Sequence, residues 1–305
     1  MLEGVVIHRS SNDLRVDTPE GVLRTSLRGK FRLGGGRSPV VVGDRVEVSR
    51  LSAAEAVLER VHPRSSEVSR GTAGGKPVVL AANMDRFLIV LAAAEPRPRW
   101  PLADRMFVSA SWLGLDPGLC LNKEDQVEGD AEAREANTRM LEIYRGLGYP
   151  TFQVSALRRT ALDPLREWLR GRMTVVAGHS GVGKSTLLNA LDPTLGLETG
   201  DLNEYTGKGR HTTTAVTLYR LPFGGYVADT PGFREFLPFD VPRGELGKHF
   251  VDFQEALARC RFKDCLHREE PGCAVQAAVE AGTIAPERYA SYLQILGNLE
   301  GEERM

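Results

Sequence analysis

No apolar run in this chain approaches the length that crosses a bilayer; the longest candidate, Phe87 to Ala94, is the size of one strand. The opening Met1-Leu2-Glu3-Gly4 has neither the basic stretch nor the long apolar segment of a secretory signal, so the cytoplasm is the expected compartment. Neither a lipidation sequence nor a basic membrane helix is found, which speaks against a membrane-bound signalling or trafficking switch. Cysteine is scarce: of four, three (Cys260, Cys265, Cys273) share one short window, and in a reducing compartment such clustering favours a metal over disulfides. Net charge is also near zero, at −1, so the whole-molecule balance announces no nucleic-acid partner.

What the sequence does hold is 305 residues with 42% hydrophobic content, enough for two or three domains with real cores. Short strands punctuated by turns are predicted at 5–7, 14–17, 22–27, 40–48 and 57–61, the pattern of a small barrel of the OB-fold type over residues 1–70. Basic residues outnumber acidic ones only in this first part. Arg24, Arg28, Lys30, Arg32 and Arg37 surround Phe31 and a Gly34-Gly35-Gly36 turn, a combination that either tracks an RNA backbone or is a solvated loop. Residues 71–77 read as a linker. After it, strands at 87–91, 115–121, 151–154, 173–177, 216–220 and 226–228 alternate with helical stretches such as 131–147. That pattern predicts a parallel sheet covered by helices on both faces over 77–237. From 238 to 305 only helical patterns remain, at 250–258, 274–281 and 286–298.

Gly178-His179-Ser180-Gly181-Val182-Gly183-Lys184-Ser185 follows an apolar strand and opens a helix at Thr186, which is the context a phosphate-binding P-loop requires. Backbone N–H groups of such a loop, aimed by the helix N-terminus, cradle phosphate oxygens; Lys184 reaches the β and γ phosphates and Ser185 gives a hydroxyl to Mg²⁺. Asp229-Thr230-Pro231-Gly232 ends a later strand, placing a carboxylate for the Mg²⁺ shell and an N–H at Gly232 that senses the γ phosphate.

Asn122-Lys123-Glu124-Asp125 fits N-K-x-D at the end of another strand. Asp125 accepts hydrogen bonds from guanine N1–H and N2–H₂, which adenine lacks; Asn122 anchors N7 and the loop, and the Lys123 stem covers the base. Ser155-Ala156 offers a backbone donor to guanine O6. These base motifs precede the P-loop, the reverse of the order in Ras-like GTPases. The unit is therefore read as circularly permuted, which neighbouring surface termini allow, with the C-terminal part expected to respond to nucleotide state.

Between the P-loop helix and the next strand, residues 200–214 are rich in Gly, Thr and charge. Thr213, with Thr212 next, is the expected Mg²⁺ ligand. After Gly232 stands Phe233, where Ras-like enzymes carry a water-orienting glutamine, so intrinsic hydrolysis should be slow. His211 is a candidate to orient or deprotonate the water; the alternative is a solvent-facing loop histidine. Cys260, Cys265, His267 and Cys273 supply three thiolates and one imidazole, the complement of a closed, structural Zn²⁺ site.

Taken together, residues 82–85, 122–125, 178–186, 209–214, 229–233 and the Cys260 to Cys273 window with Glu270-Pro271-Gly272-Cys273 closely resemble the RsgA or YjeQ family of small-subunit ribosomal GTPases. The resemblance spans nearly the whole chain. It implies an OB-fold, a permuted GTPase unit and a zinc-binding unit, cofactors GTP/GDP, Mg²⁺ and one Zn²⁺, and a cytoplasmic monomer acting late in small-subunit maturation. It also implies ribosome-stimulated GTP hydrolysis and 16S rRNA contacts through both outer parts. The alternatives are a nucleotide switch for another RNA–protein complex and a nucleotide-independent RNA-binding module, which would need neither Lys184 nor Asp125.

Overall fold

The structure, a computed structural model, describes residues 1–10, 13–28, 40–72, 75–197, 216–229 and 241–302. Five strands open the chain: β1 (Leu2–Arg9), β2 (Leu14–Thr18), β3 (Gly21–Leu27), β4 (Arg45–Arg50) and β5 (Glu55–Val61). They run β1-β2-β3-β5-β4, with β4 returning to pair with β1, so the barrel closes. Alternating residues such as Val6, Val16, Leu23, Val46, Val48 and Leu58 fill its interior, as period-2 patterning requires. The expected strand at 40–48 begins only at Arg45; the preceding residues turn, because the Asp44 carboxylate accepts the Val41 N–H at 2.8 Å.

Residues 71, 72 and 75–77 belong to strands rather than to the linker the glycines suggested. β6 (Glu67–Thr72) and β7 (Gly75–Ala82) pair antiparallel. Burial of Val68 and Ala81 against the neighbouring core gives this glycine-rich stretch a reason to be extended.

The central sheet comprises β8 (Arg86–Ala92), β9 (Asp116–Asn122), β10 (Thr151–Gln153), β11 (Met173–Ala177), β12 (Thr217–Arg220) and β13 (Tyr226–Asp229), in the order β10-β9-β8-β11-β13-β12. Helices α1 (Trp100–Trp112), α2 (Ala131–Gly146), α3 (Asp163–Leu169) and α4 (Lys184–Leu191) cover it. β8 shows why its run is apolar without alternation. Phe87, Ile89 and Leu91 pack with Phe107, Leu141 and Tyr144, whereas Leu88 and Val90 pack with Leu165, Leu187 and Leu188 on the other face. The pairs from β10 to β13 are parallel; β12 departs from the expected parallel sheet by running antiparallel to β13. A short turn at 221–225 leaves no room for a crossover.

β12 does not end the sheet. His8 of β1 is the partner of Thr217, so the ladder continues from the central sheet into the barrel. The C-terminal part contains α5 (Gln254–Leu257), α6 (Ala274–Glu280) and α7 (Pro286–Glu302), packed around Phe250, Phe253, Tyr292, Ile295 and Leu296. Val108 of α1 joins that core. No helix among the described residues is long and apolar enough to cross a membrane.

Candidate functional site

Parallel strands present their C-terminal ends on one edge, where loops can converge on a ligand. β11 ends at Ala177 and delivers residues 178–183; β9 ends at Asn122 and delivers the N-K-x-D loop. Lys184 begins α4, with Ser185 and Thr186 in its first turn. The Lys184 Nζ donates to the carbonyls of Gly178 and His179, 2.9 Å each, so the ammonium arches over the loop. His179 Nδ1 lies 2.9 Å from the Ser180 carbonyl oxygen.

Two of the loop's glycines are fixed by protein contacts as well as by any phosphate. A Cβ on Gly178 would sit 2.3 Å from the Val90 carbonyl oxygen, and one on Gly183 2.6 Å from the Asn122 Nδ2. Gly183 also has φ +89°, a left-handed conformation that side chains resist. Close behind it, Val182 is buried in the core, and Gly181 lies near Pro96.

Asn122 links three segments. Its Nδ2 donates to the carbonyls of Val182 (3.0 Å) and Gly183 (3.4 Å), and its Oδ1 accepts from the Ala156 N–H at 3.0 Å. The side chain is 1% exposed, so losing these bonds would strand a buried amide. Loop anchoring by Asn122 was expected. Its simultaneous hold on the phosphate loop and on Ala156 was not, since nothing in the local pattern encodes contacts this distant in sequence. Ala156 N–H is thus engaged by Asn122 rather than standing open for guanine O6.

The Ser155 hydroxyl donates a very short hydrogen bond to Asp125 and also accepts the Arg158 N–H at 3.1 Å. It therefore orients the carboxylate assigned to the base, a role that a reading of Ser155 as a backbone donor misses. Lys123 has φ 66°, a conformation costing about 1–3 kcal/mol for a residue with a side chain. Its Nζ donates to the Glu95 carbonyl at 2.6 Å, which draws the stem across the loop. Asn137 of α2, buried and polar, donates to the Ala93 carbonyl at 2.9 Å and steadies the segment that Lys123 grips. A lone Asn in an amphipathic helix was the available signal. Burial raises the Glu124 carboxyl above its ordinary range, with Gln153 and Arg134 opposing the shift.

Among the other expected residues, Asp229 ends β13 beside β11, partnered in the ladder with Val176 just before the P-loop. His211, Thr212, Thr213, Gly232 and Phe233 lie outside the described residues, as do Lys30, Phe31, Arg32 and Arg37 of the basic loop.

The C-terminal cluster is well formed. One donor atom from each of Cys260, Cys265, His267 and Cys273 lies within 4.8 Å of the others. His267 Nδ1 stands 3.4 Å from the Cys273 sulfur and 3.6 Å from that of Cys260, so this nitrogen faces the thiols. Burial pushes the Cys265 thiol up to about 12 and lowers the His267 imidazole below its usual value. A neutral imidazole is ready to ligate, whereas crowded thiols gain from a divalent cation that stabilises them as thiolates. Glu270 clamps the same loop. Its carboxylate accepts the N–H groups of Leu266 (2.7 Å), Arg268 (2.8 Å) and Glu269 (3.2 Å). Burial works against its ionisation, but those donors prevail and hold it below the usual carboxylate range. Tyr289 and Tyr292 donate to the carbonyls of His267 and Leu266, at 2.6 and 2.8 Å.

The family model for the RsgA GTPase matches residues 61–238. A protein of Pseudomonas aeruginosa named small ribosomal subunit biogenesis GTPase RsgA is 41% identical over 97% of this chain and 85% of its own length. The protein of that name from Moorella thermoacetica is 38% identical over 99% of both. Among solved structures, YjeQ from Thermotoga maritima is similar with TM-score 0.79 and 35% identity, covering 98% of this chain and 99% of that one. YloQ, described as a circularly permuted GTPase, gives 0.77 and 31% over 99% and 96%. Matches of this extent, on a chain whose base loop comes before its phosphate loop, make this protein a member of the RsgA GTPase family.

Proposed function

We propose that this protein hydrolyses GTP to GDP and phosphate as a late-acting factor in small ribosomal subunit biogenesis, with turnover stimulated by the subunit. The observation that carries the nucleotide reading is the Asn122 bracket. A buried side chain that ties the base loop to both Ala156 and the phosphate loop is useful when one ligand spans all three. The printed names of the full-length relatives support the ribosomal partner.

In this reading Asp125, aimed by Ser155, accepts from the guanine ring; Lys123 lies along the base, and Ala156 N–H exchanges its bond to Asn122 for one to O6. The N–H groups of residues 178–186 surround the phosphates, with Lys184 drawn from the Gly178 and His179 carbonyls onto the β and γ oxygens. Ser185, Thr213 and Asp229 would hold the Mg²⁺, and Gly232 would report the γ phosphate. Magnesium, when bound, neutralises charge that develops on the phosphate oxygens. His211 orients the attacking water or takes its proton as the bond to the β–γ bridging oxygen breaks.

Cys260, Cys265, His267 and Cys273 hold a structural Zn²⁺ in a unit spanning 238–305, beside a barrel over 1–70 and the nucleotide unit over 77–237. The two outer units contact 16S rRNA, and the protein works as a cytoplasmic monomer. Turnover of GTP and of ATP, each with and without purified small subunits, tests the reading: GTP alone should be consumed, faster with subunits. Equal use of both nucleotides, or indifference to subunits, would overturn it.

A further inference from the structure

The barrel holds the β12–β13 hairpin at both ends. At one end, Thr217 and Asp229 face each other across the hairpin, and Thr217 is in turn the partner of His8 in β1. His8 Nδ1 lies 3.2 Å from the Thr217 hydroxyl. One row of the ladder thus passes from the barrel through Thr217 and Asp229 to Val176, next to the P-loop. At the other end, Arg220 and Tyr226 face each other, and both reach Asp17 of β2. The Tyr226 hydroxyl donates to the Asp17 carboxylate at 2.7 Å, and Arg220 approaches it to 3.5 Å. Asp17 is 5% exposed, so this acceptor is committed to the junction. Burial and Asp17 together raise the Tyr226 phenol far above its ordinary value, keeping its proton on the hydrogen bond.

The junction is also not sealed. A cleft of about 550 Å³ opens beside it, lined by residues that include Gly4, Asp17, Arg45, His62, Arg220 and Tyr226. A barrel gripping a hairpin across open space can tilt, and a tilt shifts the strand that ends in Asp229. Hydrolysis is sensitive to such shifts, because an error near 1 Å in a reacting geometry costs on the order of a hundredfold in rate.

We propose that Tyr226 and Thr217 are positioning residues for the subunit-stimulated step of GTP hydrolysis: held by Asp17 and His8 of the barrel, they couple the barrel to β13, the strand that ends at Asp229, and carry the effect of a partner docked on the barrel to the nucleotide. This rests on the reading of the protein as a GTPase stimulated by the small subunit. Both lie in the hairpin at the barrel junction, apart from the loops that would hold the nucleotide, and act through the hairpin.

The test uses the full-length protein and the double variant Tyr226→Phe/Thr217→Val, which removes two hydroxyls and keeps ring and branch. Basal turnover, KM for GTP, subunit-stimulated kcat and co-sedimentation with small subunits are measured for both proteins. Basal turnover, KM and co-sedimentation should stay within about twofold of wild type, while stimulated kcat falls by about tenfold or more, a change of ~1.4 kcal/mol in barrier. Full stimulation of the double variant overturns the proposal. So does a loss of co-sedimentation that accounts for the lost stimulation, or an equal fall in basal turnover, which would mark the contacts as docking or purely structural. A wild-type protein that small subunits do not accelerate sinks the ribosomal reading and this proposal with it, an outcome visible before any variant is made.

Discussion

The two units flanking the nucleotide sheet are joined to it by opposite means. On the C-terminal side Arg288 of α7, 1% exposed, lies between Asp104 of α1 and Asp252, with Asp252 2.9 Å away and Asp104 in a very short contact. Tyr144 donates to the same Asp104 at 2.8 Å, and the guanidinium sits 4.6 Å from the Phe250 ring centre. Burial opposes the charge on Arg288, yet the two carboxylates outweigh it and raise its pKa. On the barrel side the joint is a brief β1–β12 ladder pairing with the His8–Thr217 contact, the Tyr226–Asp17 hydrogen bond from β13 to β2 and the Arg220–Asp17 ion pair at 3.5 Å, beside a cleft. A second attachment lies where the chain enters the sheet, through Asn83, which accepts from Ser65 N–H at 2.8 Å and donates to the Gly43 carbonyl at 2.9 Å. An arginine fully buried between two carboxylates tolerates no partial opening, whereas a hydrogen bond and an ion pair to a largely exposed arginine beside a cleft can break and re-form at lower cost. The C-terminal joint is built to hold, and the barrel joint leaves room to move.

The contrast can be broken at several points. Zinc removal has the largest expected effect, since structural sites of this kind contribute on the order of 10 kcal/mol of binding energy. A chelator should unprotect amides of 260–273 in hydrogen exchange. If the Arg288 joint is independent of the metal, α7 stays protected; joint loss of protection would mean that zinc, not charge, fixes the C-terminal unit. Next comes Arg288→Met, which leaves two carboxylates buried without a cation and should cost about 3–5 kcal/mol in denaturant unfolding. A loss below ~1 kcal/mol would erase the distinction between the two joints. Asn83→Ala strands the Gly43 carbonyl and the Ser65 donors and should cost about 1–3 kcal/mol. The smallest effect is that of Tyr226→Phe on stability, about 1.5 kcal/mol for one hydrogen bond to a carboxylate that keeps Arg220 as a partner. A loss as large as that of Arg288→Met would show the barrel joint to be rigid as well.

Much of this architecture was legible in the sequence because its signals are local. The P-loop, the N-K-x-D turn and the cysteine window each compress their chemistry into a short segment, and β8 and β11 announce burial on both faces by nearly continuous apolar runs. What stayed hidden depends on partners far away along the chain. Gly71, Gly74 and Gly75 look like a linker until the pairing of Val68 with Ala81 is known. Arg288 looks like an ordinary exposed helix residue, because its burial is decided by Asp104 and Asp252 from other elements. Asn122 was readable as a base-loop residue, but its grip on Val182 required the fold.

The shared outer edge of β1 has a consequence for how the molecule is made. Leu2 to Val5 pair with β4, whereas His8, beyond an irregularity in the pairing with β2, pairs with β12. During synthesis the barrel can close early, yet the far end of its first strand stays an unpaired edge until residue 217 leaves the exit tunnel, roughly 10–40 s later at ordinary translation speeds. Unpaired edges invite pairing with other chains. A delay in elongation anywhere before β12 therefore lengthens the exposure of a strand made about two hundred residues earlier, and cells short of charged tRNA should accumulate this protein in aggregates seeded from its N-terminus.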